Sequence, residues 1–128
     1  MSRIAGFALI LGVGLLCVSC QQRASQPSLT IEAEITPQPP RVGAASITLR
    51  VAEASGRPLS GARVSLEGNM SHAGMRPVFS DASEIEPGRY QARLEFTMAG
   101  DWVILIQLTL PDGRRFERQV EVKAVKAD

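Results

Sequence analysis

The chain has 128 residues, 45% of them hydrophobic, with 14 Lys and Arg against 13 Asp and Glu and a single histidine. This length supports one domain around one core and leaves no room for a second. So even a charge balance excludes a basic nucleic-acid surface, and two cysteines confined to the first 20 residues exclude a disulfide or thiolate site further along.

Arg3 precedes a run from Ile4 to Val18 of apolar residues and glycine only. At about 15 residues it suits the core of a signal peptide and is short for a membrane span. The run closes in Leu16 Cys17 Val18 Ser19 Cys20, with polar Gln21 Gln22 Arg23 beyond it. This resembles a bacterial lipoprotein signal, so residues 1–19 are expected to be removed and Cys20 to become the lipidated first residue. Cys17 departs from the pattern, standing where leucine is usual. An ordinary cleaved signal or an uncleaved anchor is the alternative. Loss of Arg3 with the signal takes the 14 basic residues to 13, against 13 acidic. The expected location is the bacterial cell envelope, held to the membrane by the lipid anchor. Gln21 in place of aspartate points to the outer membrane, facing the periplasm, in a Gram-negative cell. Residues 20–28 read as a flexible tether and residues 29–125 as the folded domain.

From Leu29 the apolar residues alternate with polar ones, the period of strands that face a core on one side. Ile31, Ala33 and Ile35 point one way, and Pro37, Pro39 and Pro40 end that strand because proline cannot donate to a ladder. Ile47, Leu49 and Val51 form a second strand, and Ser55 Gly56 Arg57 Pro58 a turn. A third runs from Ala62 to Glu67 with Val64 and Leu66 on one face, and Met75 to Phe79 reads as a short fourth. Asp81, Glu84 and Glu86 then read as a solvated turn before Pro87 Gly88. The clearest strand is Arg89 to Thr97, where Tyr90, Ala92, Leu94 and Phe96 alternate with polar residues. Gly100 Asp101 turns into Trp102 to Leu110, whose continuous apolar middle suits the centre of a sheet. Pro111 Asp112 Gly113 is a turn, and Phe116, Val120 and Val122 lie on a last strand. The expected fold is all-β, an immunoglobulin-like antiparallel β-sandwich of about seven strands.

The string Asn69 Met70 Ser71 His72 Ala73 Gly74 Met75 holds the only histidine and two of the three methionines left beyond Met1. The third, Met98, lies in Phe96 Thr97 Met98 Ala99 Gly100 Asp101 Trp102 with the only tryptophan. Thioether sulfur and imidazole together are soft, neutral donors that favour Cu(I) over zinc or hard cations. In extended chain Met70 and His72 project to one side, and Gly74 lets the chain bend so that Met75 returns to it. Met98 joins them if its strand end lies beside the loop, which clustered loops at the ends of a sandwich permit. The candidate copper ligands are therefore Met70, His72, Met75 and Met98, with Trp102 capping the site. Core packing is the alternative for Met98, which follows Phe96 in the alternation, and for Trp102.

Catalysis has few parts: one histidine, no free cysteine beyond the lipidated one and no nucleophile motif, so no enzymatic activity is expected. Gly56 to Gly61 is turn chemistry without the lysine or helix start of a phosphate loop.

Four segments together resemble the YtkA-like domain family, related to FixH-type domains: Ser55 to Val64, the loop Met70 to Met75, Pro87 Gly88 Arg89 Tyr90, and Phe96 to Trp102. The resemblance spans roughly Leu29 to Lys123 and implies a small β-sandwich on a secreted or membrane-tethered bacterial protein. It also implies a copper-related role, in handling at the envelope or delivery to a terminal oxidase or efflux component, and it places Met70, His72, Met75 and Met98 at the ligand positions. The loop is lean, with one histidine where copper-associated relatives often carry further Met or His. The alternative function is a structural or assembly module docking such an oxidase or efflux component, since methionine also serves adaptable protein surfaces.

Overall fold

A computed structural model describes residues 29–72 and 74–127; the signal segment, Cys20 and the tether lie outside the described residues. Among these are seven strands and no helix: β1 (Leu29–Thr36), β2 (Gly43–Glu53), β3 (Arg63–Met70), β4 (Val78–Glu86), β5 (Arg89–Phe96), β6 (Gly100–Thr109) and β7 (Arg115–Val125). All neighbouring strands pair antiparallel, in the order β1-β2-β5-β4-β3-β6-β7. That ladder folds over at β4, whose Val78 to Ala82 pairs with β3 and whose Ser83 to Glu86 pairs with β5. The result is two layers, β1-β2-β5 and β3-β6-β7, which is the partition of an immunoglobulin-like sandwich.

The alternation read from the sequence is what fills the space between the layers. Ile47, Leu49 and Val51 of β2 and Tyr90, Leu94 and Phe96 of β5 meet Val64 and Leu66 of β3 and Ile104, Ile106 and Leu108 of β6 in one buried cluster. Each such aliphatic or aromatic side chain contributes about 1.5–3 kcal/mol on burial. On the edge away from β4 the layers are joined by backbone: Val42 N–H donates to the Lys126 carbonyl (2.8 Å) and Lys126 N–H to Pro40 (2.9 Å). The turn at Pro111 closes as expected, with Gly113 N–H donating to Leu110 at 2.9 Å.

Three elements differ from the sequence reading. The fourth strand is Val78–Glu86 rather than Met75 to Phe79, so Asp81, Glu84 and Glu86 lie in a strand and not in a solvated turn. Its inward residues Val78, Ser80 and Ala82 are only half-buried, while Phe79 is 72% exposed and Ile85 46%. An edge strand shared by two sheets has no continuous core face, so its composition stays polar. Ala33 is exposed, because β1 has a partner on one side only and sits at the margin of the core. The third strand continues through Met70, which is therefore a strand residue and not part of the loop.

The ends of the sandwich are distinct. Leu29 lies opposite Glu53 and begins β1 at the end that holds Gly88, whereas β5 runs away from that end and finishes at Phe96.

Candidate metal centre

Both methionine-bearing connections of the Phe96 end adjoin the start of β6. Met70 pairs with Trp102 across β3 and β6, and Ser71 continues the contact by donating its N–H (3.2 Å) and hydroxyl (3.4 Å) to the Asp101 carbonyl. This non-local pairing ties Ser71, the first residue after β3, beside Asp101 at the start of β6. Gly100 makes the approach close: its φ is +128°, and a Cβ there would stand 3.2 Å from the Met70 methyl carbon. Gly74 bends the loop with φ +86°, the bend expected of it.

Within this frame Met70 is half-buried against the core, His72 is exposed, Met75 is 37% exposed and Met98 47% exposed. Met98 thus lies in the turn and not on the core face that alternation from Phe96 suggested, because β5 ends at Phe96. Of the four candidate ligands, Met70 lies against Gly100 and Trp102, and Met98 is tied to Trp102 through its backbone carbonyl, while His72 and Met75 are exposed in the connection that follows β3. Among the described residues no three His, Cys, Asp or Glu side chains gather as a metal-binding group.

Trp102 takes the core-packing alternative and not the capping one. It is 1% exposed, packs edge-on against Phe96 with ring centroids 5.3 Å apart, and donates its indole N–H to the Met98 carbonyl at 2.9 Å. It lies within the core and supports the turn, and its ring does not cap an open surface. Gly68 gives it room, since a Cβ there would come within 2.9 Å of Val78 Cγ2, 3.1 Å of Leu94 and 3.6 Å of Trp102.

Asp101 was not singled out in the sequence. Its carbonyl receives Ser71, and its carboxylate Oδ1 accepts the Ala124 N–H at 2.9 Å where Ala124 takes a left-handed φ of 56°. The register of β6 against β7 shifts at this point, so the carboxylate supplies the partner that the irregular ladder leaves unmade. Its position between Gly100 and Trp102 in the sequence is the only signal that marked it.

A second polar cluster braces the opposite end. The buried Tyr90 hydroxyl donates to the Leu59 carbonyl (2.8 Å) and accepts the Ala62 N–H (3.0 Å). Glu84 accepts from Gly61 N–H and Gly88 N–H, each at 3.3 Å. Burial and then the neighbouring Glu84 carboxylate push the Tyr90 phenol up, which keeps it neutral and hydrogen-bonding. Partial desolvation pushes Glu84 upward, but the Gly88 N–H, the Tyr90 hydroxyl, the Gly61 N–H and the Ser60 hydroxyl together hold it below its ordinary value.

Three solved structures share features of the shape at low identity. Murine CRIg matches 79% of this chain and 98% of its own, with 13% identity and a TM-score of 0.44. The PmoD soluble domain of Methylocystis sp. Rockwell matches 80% and 92%, with 13% identity and a TM-score of 0.48. The ZirS C-terminal domain matches 100% and 87%, with 12% identity and a TM-score of 0.47. No curated protein matches the sequence. The family model described as YtkA-like matches residues 24–107, more than half of the chain, from before β1 into β6, and the chain belongs to that family.

Proposed function

We propose that this protein is a lipid-anchored carrier of the bacterial envelope that binds Cu(I) as cargo through Met70, His72, Met75 and Met98. The observation that supports this reading is that Met70 and the start of its connection meet β6 at Gly100 to Trp102, whose indole also holds the Met98 turn, with the thioether-bearing residues Met75 and Met98 exposed. Neutral thioethers bind a soft monovalent ion without a deprotonation step, and an exposed set of them lets an acceptor's donors replace them one at a time. Transfer is then ligand exchange between proteins: each coordination bond from the ion to a carrier donor breaks as one to an oxidase or efflux component forms, with no change of oxidation state and no covalent bond of the carrier altered. Membership of the YtkA-like family agrees with this reading.

The test uses the mature full-length protein in detergent, titrated with Cu(I) against a colorimetric chelator. Combining Met70→Ala, His72→Ala and Met75→Ala is expected to weaken binding at least about ten-fold, since even outer-sphere changes at metal sites cost that much. Unchanged affinity overturns the proposal.

One observation favours a second reading, an assembly module. Phe79, 72% exposed on β4, joins Met75 and Ile85 as large apolar side chains left uncovered on or beside one edge strand. A partner retained equally with and without copper, and lost with Phe79→Ser, would support docking as the main role.

A further inference from the structure

Resting on the copper reading, we propose that Trp102 is a positioning residue for the site: its indole N–H sets where the Met98 turn stands relative to Met70. A buried indole has one polar atom, a donor only, and it must find an acceptor. Here the acceptor is the carbonyl of Met98, four residues earlier, at 2.9 Å. The ring that carries this donor has little freedom. Phe96 packs against it at 5.3 Å and 63°, and Gly68 leaves a gap that the ring, Val78 and Leu94 fill.

The same residue is tied to the other wall. Its backbone is in register with Met70, whose methyl group lies over Gly100, and the next carbonyl back, that of Asp101, holds Ser71. One residue, itself 1% exposed, therefore contacts the turn of Met98 through its side chain and the strand of Met70 through its backbone. The turn from Thr97 to Ala99 is exposed at every residue, so the indole is the fixed point beneath it. Holding Met98 in place before the ion arrives lowers the ordering cost of binding, which is how preorganisation raises affinity.

A purely structural tryptophan would satisfy its N–H in this way without affecting metal binding, and a double-mutant cycle separates the two cases. Trp102→Phe keeps an aromatic ring and removes the donor. In the full-length protein it is expected to weaken Cu(I) binding roughly two- to ten-fold, the range that one hydrogen bond commands. In a Met98→Leu background the same change is expected to do nothing further, because the turn then carries no donor to position. Because the phenyl ring is smaller, a second variant replaces Trp102 with an analogue carrying sulfur in place of the Nε1–H group, which keeps a bicyclic ring of nearly the same size and removes the hydrogen-bond donor. It should reproduce the loss with far-ultraviolet circular dichroism unchanged. Equal losses with and without Met98, or no loss with the sulfur analogue, overturn the positioning role. Absence of Cu(I) binding by the parent protein overturns the copper reading itself, and the inference with it, and is seen before the cycle begins.

Discussion

Gly88→Ala is expected to be among the most damaging single-methyl additions in this domain. The glycine has φ +75°, and a Cβ there would stand 2.7 Å from Pro58 Cβ and 2.8 Å from the Val51 carbonyl oxygen. Two costs combine. Holding alanine in the left-handed region costs about 1–2 kcal/mol. Relieving the overlap costs about 1–3 kcal/mol more, because one neighbour is backbone and not the end of a flexible side chain. Relief also pulls on the Val51 N–H to Gly88 bond (2.8 Å) and the Leu59 N–H to Val51 bond (3.0 Å), which join β2, the Pro58 turn and the β4–β5 hairpin. The expected total is about 2–5 kcal/mol, a fall in Tm of at least about 10 °C for a domain of this size. Gly113→Ala is the control, since its φ is +90° with nothing within 4 Å of the added carbon, so only the conformational cost applies. Calorimetry on both variants isolates the steric part, and copper affinity should stay constant in each because neither glycine is at the Phe96 end. Equal Tm losses for the two would refute the close approach at Gly88.

Tyr90→Phe removes a hydroxyl that serves both Leu59 and Ala62, leaving two backbone groups without their partner. A loss of about 1–3 kcal/mol is expected, read as a lower denaturation midpoint at constant slope. A loss below about 0.5 kcal/mol would mean that water takes over both bonds. Glu84 is held below its ordinary value of 4.5, so its carboxylate stabilises the fold above that pH and the benefit fades as pH falls through the lowered folded value. Asp112, lowered by the Arg114 N–H and side chain, adds to the same acid limb. Glu84→Gln should therefore flatten the fall of Tm below pH 4.5 without abolishing it, and an unchanged limb would show that Glu84 does not contribute.

Why some of this was readable and some not follows from how many neighbours specify each residue. β5 and β6 lie inside their sheets with partners on both sides, and Tyr90, Ala92, Leu94 and Phe96 are buried as their alternation predicts. β4 changes sheets midway, so Phe79 and Ile85 face outward and the period reports neither layer. The donor inventory of the site was visible as residue types. The contact that brings Met70 beside Trp102 joins residues 32 positions apart and is set by strand pairing that periodicity does not encode. The sequence leaves Trp102 between capping and core packing for a related reason: a lone tryptophan looks the same in sequence whether it covers a surface or supports it from within.

The opposed ends of the sandwich have a consequence for how the molecule would be displayed. The chain enters β1 at Leu29, at the Gly88 end, and β1 alone spans roughly 26 Å along the sandwich before the Phe96 end is reached. The first residue of β1 and the proposed copper-binding methionines therefore stand at opposite ends of the domain, so whatever holds the chain before Leu29 enters away from Met70 and Met98. On the proposed reading, a partner that takes the ion meets the domain at the end remote from the start of β1, with a surface that the entering chain does not share.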